Sequence, residues 1–164
     1  MSNSISPTAV ISPLADIEVS AKGSKIIIGA GSFVDAFVKM KFAGGTENIE
    51  IGENCYINSG CVLYSGKGIK IGNKVLIASN CTLAPINHGV RKDSSMLEQP
   101  HMASKGGIII KDDVWIGANS VILDGAFIPE GVVIGAGAVV KANDKLEPYG
   151  IYAGHELKLI KFRT

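Results

Sequence analysis

The chain has three histidines, His88, His101 and His155, and two of them share one polar stretch, residues 84–107. An imidazole is neutral and basic enough near pH 7 to take a proton from a hydroxyl as that hydroxyl attacks. The chemistry on offer is therefore general base catalysis. His88, which follows Asn87 where the polar stretch begins, is the first candidate for the base, and His101 is the second. Metal chemistry has a weaker claim. Zinc ligands can come from distant parts of a chain, but one histidine lies in the C-terminal tail and no Cys-x-x-Cys pair is present. No metal is expected, and no activated nucleophile is evident.

The element that must position these residues is a repeat of six. Ile110, Ile116, Ile122, Ile128, Ile134, Val140 and Leu146 fall at every sixth position. Four places after an anchor the side chain is small or compact, as at Val114, Ser120, Ala126, Val132 and Ala138, and Cys55, Cys61 and Cys81 occupy the same slot. The cysteines thus read as small core residues. Gly117 and Gly135 follow two of the anchors, where a chain can bend tightly or adopt positive φ. A period of six matches neither a helix nor an alternating strand. It matches a short strand plus a turn, stacked on itself as a parallel β-helix. Anchors point inward, so the fifth place after an anchor points outward. His88, Trp115 and Tyr56 all hold that place.

Further anchors are Ile28, Val34 and Met40, then Ile51, Ile57 and Leu63, then Ile71, Ile77 and Leu83. Short interruptions fall at Gly44–Gly45 and Gly66–Gly68, and the long one at 84–107. Three hexads make a coil of 18 residues. Leu63 is then expected under Leu83, Cys61 under Cys81, and Ala118 under Ala136. One domain is expected over 1–164. Its parts are an irregular N-terminal cap over 1–25, a β-helix over 26–151 interrupted by the loop 84–107, and a tail over 152–164. Leu157, Leu159 and Ile160 of that tail are expected to cover the last coil. Loops as long as 84–107 are uncommon in compact domains and are usually functional or disordered. Insertions in such repeats emerge on one face, often the binding face.

Composition narrows the partners. A net charge of +1 gives no basic field for nucleic acid and no polybasic membrane patch. Aromatic content of 6% suits a thin core of stacked Ile and Val. Met1–Val10 lacks the basic start and apolar run of a signal peptide, and no apolar stretch is long enough to span a bilayer. A cytoplasmic protein without membrane insertion is expected.

Several strings together resemble the hexapeptide-repeat acyltransferases. They are Asn87-His88 with its polar loop, Gly106-Gly107-Ile108-Ile109-Ile110, Asp113-Val114-Trp115-Ile116-Gly117-Ala118-Asn119-Ser120 and Ile134-Gly135-Ala136-Gly137-Ala138-Val139-Val140. The likeness runs from residue 26 to about 160 and points to the branch of maltose, galactoside and polysaccharide O-acetyltransferases. It implies a left-handed β-helix, a homotrimer with active sites between subunits, acetyl-CoA as donor and a sugar or oligosaccharide as acceptor. By the same resemblance His88 is the general base, and Asn58, Asn87 and Trp115 contact substrate. Trp115 also lines the cofactor side. The backbone of Ala118 and Ala136 holds the pantetheine arm; Lys141, at a place where the chain departs from the family, is a candidate to meet a phosphate.

The chain also departs from the family. Lys141-Ala142-Asn143 stands where Thr-Lys-Asp is frequent, and Ala153-Gly154-His155-Glu156-Leu157 where Ala-Gly-Asn-Pro-Ala is usual. Gly66 replaces an acidic residue of the galactoside branch, which argues against that sugar specificity. The alternatives are an N-acetyltransferase acting on an amino sugar or antibiotic, a non-catalytic β-helix scaffold, and a metalloenzyme on the same fold.

Overall fold

Each hexad forms a strand of two or three residues followed by a corner, and three hexads close one triangular coil. The computed structural model describes residues 2–100 and 103–164, so His101 lies outside the described residues. The first coil is β1 (Ser4–Ile5), β2 (Val10–Ile11) and β3 (Asp16–Ile17). The second is β4 (Ile26–Ile28), β5 (Phe33–Val34) and β6 (Lys39–Lys41). The third is β7 (Ile49–Ile51), β8 (Tyr56–Ile57) and β9 (Val62–Tyr64), and the fourth β10 (Ile69–Ile71), β11 (Leu76–Ile77) and β12 (Thr82–Ala84). The fifth is β13 (Ile108–Ile110), β14 (Trp115–Ile116) and β15 (Val121–Leu123), and the sixth β16 (Phe127–Ile128), β17 (Val133–Ile134) and β18 (Val139–Val140). β19 (Gly150–Ala153) and β20 (Lys158–Phe162) complete the chain.

The first strands of the coils stack into one parallel sheet, the second strands into another and the third strands into a third. These are the three faces of a prism. Its core is three columns of anchors in register. On the second face Val34, Ile57, Ile77, Ile116 and Ile134 pair in sequence, and all are fully buried. Leu63 pairs with Leu83, as expected, and Cys61 and Cys81 directly precede the paired Val62 and Thr82. All three thiols are free and buried. They point at corner carbonyls, Cys55 Sγ at Gly72 O (3.0 Å), Cys61 Sγ at Ala78 O (3.1 Å) and Cys81 Sγ at Gly117 O (3.2 Å). Ser120 Oγ fills the same slot one coil higher and donates to Gly117 O at 2.7 Å. Small donors recur there because the corner leaves a carbonyl to satisfy and little room to do it.

The glycines after the anchors serve close approach and not positive φ. A Cβ at Gly117 would stand 2.5 Å from Ala136 N on the next coil. The left-handed residue comes later in the corner. Between the first and second faces Gly31, Asn54, Lys74, Asp113, Gly131 and Tyr149 stack one above another with φ of 66, 55, 56, 57, 69 and 60°. From the second coil on, one left-handed residue per corner helps a four-residue link turn the chain onto the next face.

Two differences from the sequence reading concern the ends. Residues 1–25, expected to be irregular, carry three two-residue strands in register with the second coil, Val10 opposite Phe33 and Ile11 opposite Val34. At the other end, Leu159 and Ile160 do not cover the core. They lie on β20, an exposed edge strand antiparallel to β19. Of the three expected tail residues only Leu157 packs against the core. Tyr152 does the capping. It continues the column above Ile134, is buried, and anchors the last corner by accepting Glu147 N–H at its hydroxyl (2.7 Å). Ile116→Ala, in the middle of its column, should cost about 2–5 kcal/mol, the usual range for truncating a buried Ile. Urea unfolding of the variant beside the parent measures it.

Candidate functional site

The corners decide where a site can form. In every coil the corner from first to second face has four residues, and so does the corner from second to third face. The corner returning from third to first face is the variable one. It comprises residues 18–25, 42–48, 65–68, 85–107 and 124–126 in successive coils. Each interruption of the hexad cadence therefore lands on one edge of the prism, and the long loop is the largest of them.

Stacked there, the insertions enclose a cleft of about 340 Å³. Its wall is made by residues 44–46 and 66–67, by the outgoing leg of the long loop at 85–87, by its returning leg at 103–104, and by Asp124. Asn87 lines this cleft, and His88 follows it as an exposed residue. Glycines make the space. A Cβ at Gly66 (φ 46°) would meet Pro85 O at 2.2 Å, and one at Gly45 would meet Gly66 O at 2.5 Å. Lys67 stands at the mouth with its own N–H given to Pro85 O (3.3 Å).

The loop has internal structure despite its polar composition. Gly89 N–H donates to Pro100 O (3.1 Å), closing the outgoing leg on the residues that return. Gln99 is buried and staples the interior. Its Oε1 accepts Arg91 N–H at 2.7 Å, while its Nε2 donates to Arg91 O at 2.7 Å and Ser94 O at 3.0 Å. An exposed ion pair joins Arg91 to Asp93 and holds the Asp93 carboxyl below its usual range. At the tip Leu97 is 95% exposed.

The other sequence candidates sit elsewhere on the prism. Asn58 begins a second-to-third corner, where its Nδ2 donates to Ile77 O on the coil above (3.0 Å). Its amide is thus used in holding the stack. Ala118 and Ala136 occupy equivalent places in that edge and lie one coil apart, with Ala118 O accepting Gly137 N–H (2.8 Å). Among the described residues their own N–H groups have no partner within the chain. That leaves two donors one coil apart, about 4.8 Å. Trp115 lies on the second face, 51% exposed. Lys141 follows β18 at the edge that carries His88. One chain therefore brings His88 and Asn87 together at one edge, and Asn58, Ala118 and Ala136 at another. It does not bring the two sets together.

Two residues were missed in the sequence. Asp124 is buried, at 3% exposure, although it borders the cleft. The available signal was a lone carboxylate in an apolar run, Val121-Ile122-Leu123 before it and Gly125-Ala126 after. Gln99 gave no such signal, since one more glutamine in a polar loop is unremarked. Among the described residues no cluster of side chains is suited to a metal ion.

Gly66 supplies a test of the cleft. Gly66→Asp should destabilise the chain by about 1–3 kcal/mol through left-handed strain, with the Pro85 clash adding to it. Gly44→Asp carries strain alone, because a Cβ at Gly44 meets nothing within 4 Å. Thermal unfolding of the two variants side by side should show the larger loss at Gly66.

Known proteins share the hexad repeat. Residues 107–142 match the family described as bacterial transferase hexapeptide (six repeats), and residues 48–85 match the hexapeptide repeat of succinyl-transferase. The chain is 33% identical to the galactoside O-acetyltransferase of Escherichia coli over 138 residues, covering 82% of this chain and 62% of that protein. It is 30% identical to the putative lipopolysaccharide biosynthesis O-acetyl transferase WbbJ of Escherichia coli over 145 residues, covering 85% and 69%. The chain thus spans roughly three-fifths to two-thirds of the length of these relatives. Among solved structures it superposes on AntD, an N-acyltransferase from Bacillus cereus in complex with dTDP and 3-hydroxybutyryl-CoA. The TM-score is 0.78 at 26% identity, covering 96% of this chain and 81% of that one. The chain belongs to the hexapeptide-repeat acyltransferase family, whose left-handed parallel β-helix it adopts.

Proposed function

We propose that the protein transfers an acetyl group from acetyl-CoA directly to a hydroxyl of a sugar, a precursor of a surface polysaccharide, with His88 as general base. The observation that carries this reading is the position of Asn87-His88 at a cleft that the insertions open at one edge beneath Asp124. A regular coil stack would have no such cleft. The O-acetyltransferases among the relatives support the acceptor atom, and the cytoplasm is where such a donor would be used.

Neutral His88 takes the acceptor's proton as its oxygen bonds to the thioester carbonyl carbon. The tetrahedral intermediate then collapses, the C–S bond breaks, and the imidazolium returns the proton to the leaving CoA sulfur. Backbone N–H groups at a coil corner suit the oxyanion, being fixed before the reaction begins. No covalent enzyme intermediate is needed. The paired N–H groups of Ala118 and Ala136 suit the amides of a pantetheine arm lying along the edge, and Lys141 suits a phosphate. Asn58 and Trp115 are assigned to the acceptor side and the cleft wall.

Because His88 and Trp115 lie on different parts of one prism, a site using both needs two copies of the chain. The second face suits that contact. Its outward residues Val10, Phe33, Tyr56, Leu76, Trp115, Val133 and Ile151 form one unbroken apolar ladder along the solenoid. A homotrimer around that ladder would close three equivalent sites.

A second reading has a specific observation in its favour. A variant of AntD was solved in complex with dTDP-4-amino-4,6-dideoxyglucose and coenzyme A, and this chain superposes on it with a TM-score of 0.79. The acceptor atom would then be the nitrogen of an amino sugar. A thiol-release screen of UDP- and dTDP-linked hexoses against the matching hexosamines, with acetyl-CoA, separates the two. Silence across the panel and across free oligosaccharides would leave a binding scaffold instead.

His88→Ala should lower turnover by about 10²–10⁴-fold, the usual share of general base catalysis, with acetyl-CoA affinity nearly unchanged by calorimetry. Only neutral imidazole accepts a proton, so the parent's rate should rise with pH as the base loses its proton. A rate that falls as pH rises would make His88 an acid or a charged anchor. Sedimentation should give three times the chain mass of 17.1 kDa. Leu76→Asp, a change at an exposed ladder position, should dissociate the trimer and abolish activity without unfolding the coils. A fully active monomer would overturn the shared site.

A further inference from the structure

Asp124 is a buried carboxylate to which the proposed chemistry assigns nothing. It sits in the shortest of the variable corners, residues 124–126, directly above the long loop. Both of its oxygens are spent on the loop's returning leg. Oδ1 accepts Ser104 Oγ–H at 2.7 Å and Gly107 N–H at 3.0 Å, and Oδ2 accepts Lys105 N–H at 2.7 Å. The contact is close on both sides. Gly125 N–H donates to Gly107 O at 2.7 Å, and a Cβ on Gly125 would stand 2.6 Å from Lys105 Cβ.

The bonds form a path to the histidine. Asp124 fixes residues 104–107; Pro100 O accepts Gly89 N–H (3.1 Å); and Gly89 is the next residue after His88. The outgoing leg is held at Pro85 by the third coil, through Lys67 N–H. Without the returning anchor, the 23 residues between β12 and β13 would lose the three hydrogen bonds that hold their returning leg against the coil above. Closing such a loop costs conformational entropy, and bonds to an ionised acceptor are the strong kind that offset it.

We propose that Asp124 is a positioning residue that clamps the returning leg of the loop and thereby fixes His88 at the cleft. This rests on the reading of His88 as the base. The carboxylate touches no reacting atom and acts through Ser104, Lys105 and Gly107. Its effect is on turnover, since a base displaced by about 1 Å loses on the order of 10²-fold in rate.

Hydrogen exchange and kinetics on the full chain test this together. Asp124→Asn keeps the shape but turns a donor toward a donor, and Ser104→Ala removes one bond from the other side. In Asp124→Asn the amides of Lys105 and Gly107 should lose protection, with faster exchange across 88–100, while amides of 49–84 stay as in the parent. Turnover, read as CoA thiol release with the most active panel acceptor, should fall roughly 10–100-fold. KM for acetyl-CoA should hold within about twofold, and the limb of the pH–rate profile should keep its position because the base is unchanged. Ser104→Ala should give a smaller loss in the same direction, non-additive with Asp124→Asn because both break one contact. Unchanged loop exchange, or faster exchange spread evenly through the coils, would overturn the clamp. Normal turnover in Asp124→Asn beside an inactive His88→Ala would overturn the positioning role alone. A fully active His88→Ala would instead remove the base, and with it the reason for the clamp.

Discussion

A parallel ladder fixes this protein. Backbone hydrogen bonds run from each coil to the coils above and below it, so each strand residue is locked in register with a residue one turn away. A single residue inserted within a strand would move the following anchors from core to solvent. The same holds for the first two corners, which are fixed at four residues and, from the second coil on, carry one left-handed residue each. The chain is free to vary only where it leaves the ladder altogether.

That constraint explains why the insertions share one edge. At the return from third to first face the corner ranges from three residues at 124–126 to the whole of 85–107, and neighbouring strands still pair residue for residue. Stacked irregularities make a cleft because they do not fit one another as regular corners do. The glycines at 45 and 66 keep it open, since side chains there would strike carbonyl oxygens across the gap. A rigid solenoid thus presents a variable, polar edge beside invariant flanks, the arrangement in which loops carry function on a scaffold.

The flanks have their own consequence. The outward ladder of the second face is apolar from Val10 to Ile151. The first face mixes Glu50 and Lys70 with Ile109 and Phe127, and the third mixes Asp16 and Lys39 with Val62 and Val121. Contiguous apolar surface of that extent is characteristic of contact sites. The loop edge and the apolar face are what a shared site would need, one offering the base and the other the wall.

How much of this was legible follows from what each feature depends on. The hexad anchors determined the coils, the three inward columns, the buried thiols and the stacking of Leu63 under Leu83, because a period of six has one way to bury its apolar member. Asn87-His88 and the Val-Trp-Ile-Gly string were enough to suggest the family. The strands within 1–25 were obscured by a Ser- and Pro-rich composition and by strands only two residues long, although Ile5, Ile11 and Ile17 keep the spacing of six. The capping by Tyr152 in place of Leu159 and Ile160 was decided by β20 turning back antiparallel, which carries the latter pair to an outer edge. Only the tertiary structure showed that the interruptions coincide, since residues 44, 66, 87 and 124 are far apart in the chain and meet because coils of unequal length share one edge. Asp124 is the clearest case. Its role rests on three donors 17 to 20 residues earlier, a distance that means one coil in space and nothing along the sequence.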